Sequence, residues 1–287
     1  MKEPMISVVV VTHNSENVII DALSSIYMQE PGASDVVVVD NGSMDATVEL
    51  IRGRFPQVLL VVNDANEGAC KARNQGIALS KAEWVLTLDC DTVLGAGFMR
   101  HIRRAIDDVP DNVGMIQPKI MMPDRITVYS LGIRLDWMRR FFDVGRGRPD
   151  SRRRGRQPII GPCAAAAVYR RRMLGELQEE TGYFDERFFF LVEDVDLAWR
   201  AYRRGWKAVV YPGALCYHNG NSSGASKQLR QYLCFRNRMY SIAKNEGAAA
   251  YGLKVIPVVC YDFPRLLYLV FSNAHVRDAI AARLVNK

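Results

Sequence analysis

Residues 84–93 read WVLTLDCDTV, and this stretch decides the fold. Trp84, Val85, Leu86 and Leu88 are apolar and favour extended backbone, as a central strand covered on both faces requires. The run stops at two carboxylates, Asp89 and Asp91, with Cys90 between them. Strand side chains alternate in direction, so residues two apart at a strand's end can point the same way. In open α/β sheets that end faces the ligand crevice. Two carboxylates there repel each other unless a cation lies between them or a hydroxyl bonds to one. A hard divalent ion carrying a diphosphate fits, because such ions take one or two carboxylates together with phosphate oxygens. In isolation the same residues would suit a solvated turn, so the surroundings decide.

Upstream, Ile6 to Thr12 is a β-branched run that reads as the first parallel strand. Helical spacing follows over Glu16–Met28, then a buried strand over Asp35–Val39. Asp45 can cap the next helix. A strand over Val58–Val62, a loop over Asn63–Gly68 and a helix over Ala69–Leu79 lead back to Trp84. This alternation predicts an α/β fold: a Rossmann-like, doubly wound sheet with helices on both faces. Three strand ends carry polar clusters: Thr12-His13-Asn14, Asp40-Asn41-Gly42-Ser43 and Asp89-Cys90-Asp91. One such end is a turn; three on neighbouring parallel strands make a pocket. No GxGxxG follows Val8–Val11, which argues against a dinucleotide dehydrogenase. THNSEN supplies no glycine- and lysine-rich phosphate loop, which argues against a nucleotidyltransferase.

Downstream, strands are expected at Val113–Ile120, at Ile159–Tyr169 under the cleft, and at Lys207–Tyr211. Helices are expected over Arg170–Glu180, Val195–Arg204 and Gln228–Asn245. Glu193 and Asp194 precede the second of these, where a helix dipole favours acidic groups. Asp196 is placed to pair with Arg200 at i+4. The segment Arg134–Arg156 is rich in arginine and reads as a flexible surface loop, suited to an anionic ligand or a membrane surface. Its few aromatics, Trp137, Phe141 and Phe142, argue against nucleic acid.

The chain has 287 residues, a formal charge of +7, 49% hydrophobic residues and 24% charged ones. Those values suit one large domain with an appendage, and much of the positive charge is local to the arginine segment. The six cysteines lack the short spacings of zinc sites or disulfide frameworks and read as buried free thiols of a reducing compartment. The opening MKEPMISVVVVTHN turns polar too soon for a secretory signal. The stretch Ala248–Ser272 is apolar but broken by Lys254, Pro257, Asp262, Pro264 and Arg265. A spanning helix needs about 20 largely apolar residues. An interfacial amphipathic helix, a dimer interface or a packed helix each suits it better.

With these residues in place, the chain resembles the family 2 glycosyltransferases of the GT-A fold. The matching pieces are SVVVVTHNSE, VVVVDNGSMDAT, NEGACKARNQGI, WVLTLDCDTV, GYFDERFFFLVEDVDLAWRAYRRGW and YPGALCYHNG, which cover most of Ile6–Asn221. FDERFFFLVEDVDLAWR is similar to the rhamnosyltransferase-like branch. The resemblance implies a GT-A domain over 1–245, with a nucleotide-sugar half at 1–95, an acceptor half at 96–245, and a C-terminal helical tail at 246–287. It implies a nucleoside-diphosphate sugar along the crevice. Thr12, Asn14 and Glu16 border the nucleobase and ribose, Asp40 bonds to the base, and Arg73 and the Asn66 loop lie nearby. Asp89 faces the ribose or the metal. Asp91 binds Mg2+ or Mn2+, and His218 is a further ligand or a diphosphate contact. Asp194 is the general base, while Glu193 orients the acceptor or caps the helix. The implied reaction is inverting transfer of a sugar, rhamnose first, from a UDP- or dTDP-sugar to a hydroxyl of a cell-surface polysaccharide or lipid-linked glycan. It would occur in the cytoplasm or at the inner face of the membrane, in a protein able to form a homodimer. A catalytically silent sugar-nucleotide-binding module is the rival; the presence of Asp89, Asp91 and Asp194 speaks against it.

Overall fold

A computed structural model describes residues 5–150, 158–220, 224–246 and 248–285. The first half alternates strands and helices: β1 (Ile6–Thr12), α1 (Ile19–Tyr27), β2 (Asp35–Asp40), α2 (Thr47–Arg54), β3 (Leu59–Val62), α3 (Ala69–Leu79) and β4 (Trp84–Asp89). Next come β5 (Thr92–Leu94), α4 (Phe98–Asp108), β6 (Val113–Met121), β7 (Val128–Ser130), β8 (Ile133–Leu135) and β9 (Phe141–Asp143). The remainder is β10 (Ala166–Arg170), α5 (Arg171–Leu177), α6 (Glu193–Arg203), β11 (Lys207–His218), α7 (Lys227–Asn245), α8 (Ala248–Ser272) and α9 (Ala274–Val285).

The main sheet runs β3-β2-β1-β4-β10-β6-β11-β5, with β7 alongside β6. β4 lies at its centre, parallel to β1 and antiparallel to β10. It is therefore covered on both faces, and Trp84–Leu88 are fully buried. The alternation of side chains explains how two cores form. Val8, Val10, Leu86 and Leu88 pack toward α1 and α4; Val9, Val37 and Val85 pack toward α3, α5 and α6. The result is the mixed, doubly wound α/β sheet that the alternating pattern predicts.

Several elements differ from expectation. Ile159–Tyr169 is not one strand: only its end enters β10, while Gly161 bridges to Ile133. β11 does not stop at Tyr211 but continues to His218, because a register shift between Tyr211 and Leu215 absorbs Pro212 and Gly213. The arginine segment is no flexible loop where it is described. It forms the β8–β9 hairpin, with Arg140 paired to Asp136, Arg146 to Asp143, and Arg139 to Glu246. Arg152, Arg153, Arg154 and Arg156 lie outside the described residues. The cysteines carry no disulfide, although Cys260 on α8 is exposed rather than buried. Ala248–Ser272 forms a single helix through both prolines. No helix among the described residues is long and apolar enough to cross a membrane.

Candidate active site

A pocket of about 510 Å³ opens at the carboxyl ends of β1 and β4. Of the residues singled out in the sequence, Thr12, Asn66, Arg73, Asp89, Glu193 and Asp194 line it. The periodicity of β4 aims Asp89 to the same face as Val85 and Thr87, toward α3 and α6. There it meets Arg73 of α3, whose Nη2 donates to Asp89 Oδ1 at 2.7 Å and whose Nη1 donates to Glu193 Oε1 at 2.6 Å. Arg73 is only 4% exposed. Burial alone would lower its pKa, but Asp89 and Glu193 more than offset that and raise it. One guanidinium thus ties the acidic end of β4 to the start of α6.

Asp91 and His218 complete the other side of Asp89. β5 and β11 pair antiparallel with His218 opposite Thr92, which sets the imidazole beside the preceding Asp91. His218 Nδ1 lies 3.0 Å from Asp91 Oδ1. Burial on its own would lower the His218 pKa; the hydrogen bond with Asp91 and the charges of Asp89 and Asp91 outweigh it and raise it. Asp89, Asp91 and His218 each offer a ligand atom, and the three atoms lie within 4.8 Å of one another. Two hard carboxylates and an imidazole suit a divalent ion such as Mg2+ or Mn2+. A cation there would also relieve the repulsion of two crowded carboxylates.

Asp194 stands at the first turn of α6. Its Oδ2 accepts from the Ala164 amide at 3.0 Å and its Oδ1 from the Val195 amide at 2.8 Å. Burial, then the charge of Glu193, pushes its pKa up to about 7. A carboxylate poised there suits a general base. Cys90 and Cys163 adjoin it in the pocket, but burial pushes Cys90 up to about 11 and Cys163 well above its usual range, so both remain neutral thiols.

Three expected nucleotide contacts sit outside the pocket lining. Both Asp40 oxygens accept from Ser43, through its amide at 2.9 Å and its hydroxyl at 2.5 Å, so Asp40 shapes the turn after β2. Asn14 Oδ1 accepts from the Met44 amide, and Glu16 Oε2 accepts from the Ala46 amide just before α2. Asn41 does line the pocket and donates to Asn66 Oδ1 at 2.9 Å. Sequence reasoning placed it in the polar cluster after β2 but gave it no role of its own. It also missed Tyr129, whose ring meets His218 edge-on at 4.5 Å, and Phe189–Val192, which wall the pocket before Glu193. Phe141, Phe142 and Arg146 of the hairpin line the pocket too, which puts the described part of the arginine segment beside it.

The mixed sheet that switches strand direction at β4 is that of the GT-A class of glycosyltransferases. Residues 7–178 match the glycosyl transferase family 2 domain, and the chain belongs to that family. Over 254 residues it is 27% identical to the N-acetylglucosaminyl-diphospho-decaprenol L-rhamnosyltransferase of Mycobacterium tuberculosis, covering 77% of this chain and 78% of that protein. It is 40% identical over 106 residues to the succinoglycan biosynthesis protein ExoO of Rhizobium meliloti, and this covers 36% of the chain and only 30% of that longer protein. The fold is that of the mannosyltransferase PcManGT of Pyrobaculum calidifontis, solved with GDP-Man and Mn2+ (TM-score 0.61, 17% identity, all of this chain and 77% of that one). It is also that of GalNAc-T7 with UDP, GalNAc and Mn2+ (TM-score 0.65, 16% identity, 84% of this chain and 48% of that one). The rhamnosyltransferase-like branch read from FDERFFFLVEDVDLAWR agrees with the mycobacterial similarity.

Proposed function

We propose that the protein inverts configuration as it transfers a sugar, rhamnose first, from a UDP- or dTDP-sugar to a hydroxyl of a cell-surface polysaccharide or lipid-linked glycan. The observation that carries this reading is the convergence of Asp89, Asp91 and His218 beside a pocket that also holds Asp194, with Arg73 bonded to both Asp89 and Glu193. The name of the mycobacterial relative supports a rhamnosyl donor and a lipid-linked acceptor. Residues 1–95 supply the donor half and residues 96–245 the acceptor half. The tail at 246–287 associates with a membrane surface or with a second copy, on the cytoplasmic side.

Asp89, Asp91 and His218 would hold Mg2+ or Mn2+, which when bound neutralises charge on the diphosphate as a Lewis acid. Asp194 accepts the proton of the acceptor hydroxyl as its oxygen forms the new glycosidic bond and the bond to the diphosphate breaks. A single displacement by an acceptor activated on the face away from the leaving group inverts the anomeric centre, as in inverting glycoside hydrolysis. Glu193, held by Arg73, fixes the start of α6 and so the place of Asp194.

A thermal-shift panel of nucleotide sugars with and without Mn2+ tests the donor, since a ligand of the native state raises apparent stability. Asp91→Ala should abolish the Mn2+-dependent shift. Asp194→Asn should keep the shift and lose transfer by at least a thousandfold; transfer near the wild-type rate would remove Asp194 as the base.

A further inference from the structure

Arg146 lines the pocket from the turn that follows β9. A glycine with left-handed backbone stands on either side of it, Gly145 at φ 80° and Gly147 at φ 71°. The turn is bonded to β7 beside it. The Gly147 amide donates to the Val128 carbonyl at 3.0 Å, and the Val128 amide donates to the Arg148 carbonyl at 2.9 Å. This brings Arg146 over the next residue of β7, Tyr129, with the guanidinium 4.2 Å from the centre of its ring. The same ring meets His218 edge-on at 4.5 Å. A single ring therefore separates the guanidinium from the set formed by Asp89, Asp91 and His218. Burial pushes the Tyr129 phenol up to about 12, so the ring beneath Arg146 is neutral.

The charges of the pocket give this cation a task. Arg73 is committed to Asp89 and Glu193, and only 5% of its side chain is exposed. Arg146 keeps 47% of its side chain exposed. Its Nη1 donates to Asp143 Oδ2 at 3.0 Å, yet a guanidinium carries five N–H donors, more than one carboxylate can use. The charge of Asp143 also helps to raise the pKa of Asp194, so the turn reaches from the acid–imidazole set toward the base. Asp89 and Asp91 together cancel the formal charge of a divalent ion. A diphosphate held there calls for a further cation, and guanidinium pairs with phosphate oxygens two at a time.

We propose that Arg146 donates to the departing diphosphate of the sugar nucleotide and meets the charge that grows on it, with Tyr129 as the residue that positions it. This rests on the glycosyltransferase reading and adds to it a catalytic residue outside the acidic set. As the bond from the anomeric carbon to the diphosphate breaks, its electron pair stays on the diphosphate oxygen. The acceptor oxygen bonds to that carbon, and its proton passes to Asp194. The diphosphate thus ends with one more negative charge than it began with. A donor already fixed in place is worth most against charge that develops in the transition state. Two left-handed glycines and the ring of Tyr129 fix this one.

The test is calorimetric titration of the full chain, at constant free Mn2+, with UDP, dTDP, the corresponding monophosphates and inorganic diphosphate. Arg146→Gln should weaken the better nucleoside diphosphate and inorganic diphosphate tenfold or more. Its affinity for the monophosphate should stay within twofold of wild type, which also shows that the variant folds. Arg146→Lys should recover part of the loss, since the charge remains and the fork does not. Asp143→Asn removes a carboxylate that competes for the guanidinium, so it should bind the nucleoside diphosphate at least as tightly as wild type. Equal loss of diphosphate and monophosphate in Arg146→Gln makes Arg146 a structural residue and overturns the proposal. So does a loss in Asp143→Asn as large as that in Arg146→Gln, because the ion pair and not the phosphate contact would then matter. Nucleoside diphosphate bound equally by wild type and Arg146→Gln defeats this proposal alone. Inorganic diphosphate lost in Arg146→Gln, with neither UDP nor dTDP bound more tightly than inorganic diphosphate by wild type, defeats the donor reading alone. A wild type that binds no diphosphate overturns both.

Discussion

Asp194 sets two properties of the protein against each other. Burial and the neighbouring Glu193 push its pKa up to about 7. A base must be ionised to accept a proton, so transfer should rise with pH through about 7 and fall about tenfold per unit below it. The stability effect has the opposite sign. A carboxyl whose folded pKa exceeds its unfolded value of about 3.9 contributes stability below that value, and the contribution is lost as pH rises through about 7. Asp194→Asn removes this ionisation. At pH 8 that variant should be more stable than wild type by about 1–3 kcal/mol, and near pH 4 the difference should vanish. Urea melts at the two pH values check this. Arg73 is the complementary case, since its removal leaves Asp89 and Glu193 facing each other across the site it filled. Arg73→Gln should cost about 3 kcal/mol, with a loss of nucleotide affinity. Arg73→Lys should recover only part, because an ammonium does not reproduce the fork that reaches both carboxylates. Chemical denaturation and nucleotide titration of both variants decide it.

Between the 3-10 turn Glu186–Phe188 and α6 the backbone is forced. Phe189, Leu191 and Val192 all have positive φ, at 66°, 69° and 74°. Bulky and β-branched residues adopt such angles only when their surroundings impose them. Asn237 of α7 is one of those surroundings: its Nδ2 lies 2.9, 3.0 and 2.7 Å from the carbonyls of Phe188, Phe190 and Leu191. Arg236 donates to the carbonyls of Arg187 and Phe188. Asn237→Ala should let the segment relax and displace the start of α6. Stability should fall by about 1–3 kcal/mol, and kcat should fall tenfold or more with nucleotide affinity nearly unchanged. Steady-state kinetics beside a nucleotide titration separate these effects. Asn237→Asp should be worse than Ala, since it sets a carboxylate against three carbonyl oxygens. This clamp was invisible in the sequence, where nothing about Arg236-Asn237-Arg238 says what Asn237 will bond. Its partners are backbone oxygens almost 50 residues away, and no local pattern encodes them. The β1–β4 alternation was legible for the converse reason: its signal is the period of the chain itself. β11 fell between these cases, because Pro212 and Gly213 are honest breakers locally and only pairing with β6 and β5 carries the strand past them to His218.

At the scale of the molecule the tail was the least legible part. Pro257 and Pro264 lower helix propensity, and the sequence gives no sign of what outweighs them. Part of the answer is docking. Asp262 of α8 is buried and receives Arg238 of α7 at 2.9 and 3.2 Å, while Arg238 also donates to the carbonyls of Met138 and Arg139 before β9. One guanidinium therefore joins α7, the tail and the strand pair beside the pocket. Burial raises the pKa of Asp262 and lowers that of Arg238, each toward its neutral form. Desolvation of the two groups thus outweighs their attraction, and the pair contributes orientation more than net stability. Breaking it is costly all the same, because the surviving charge keeps its burial and loses its partner. Asp262→Ala should lower stability by about 3 kcal/mol. The loss should fall first on the tail, whose outer side is exposed and which this pair helps to seat on α7. Limited proteolysis should then cut within 248–285 of the variant while 5–246 persists, with nucleotide binding retained. Cleavage spread evenly over the chain would mean that Asp262 holds the whole core rather than the seating of α8.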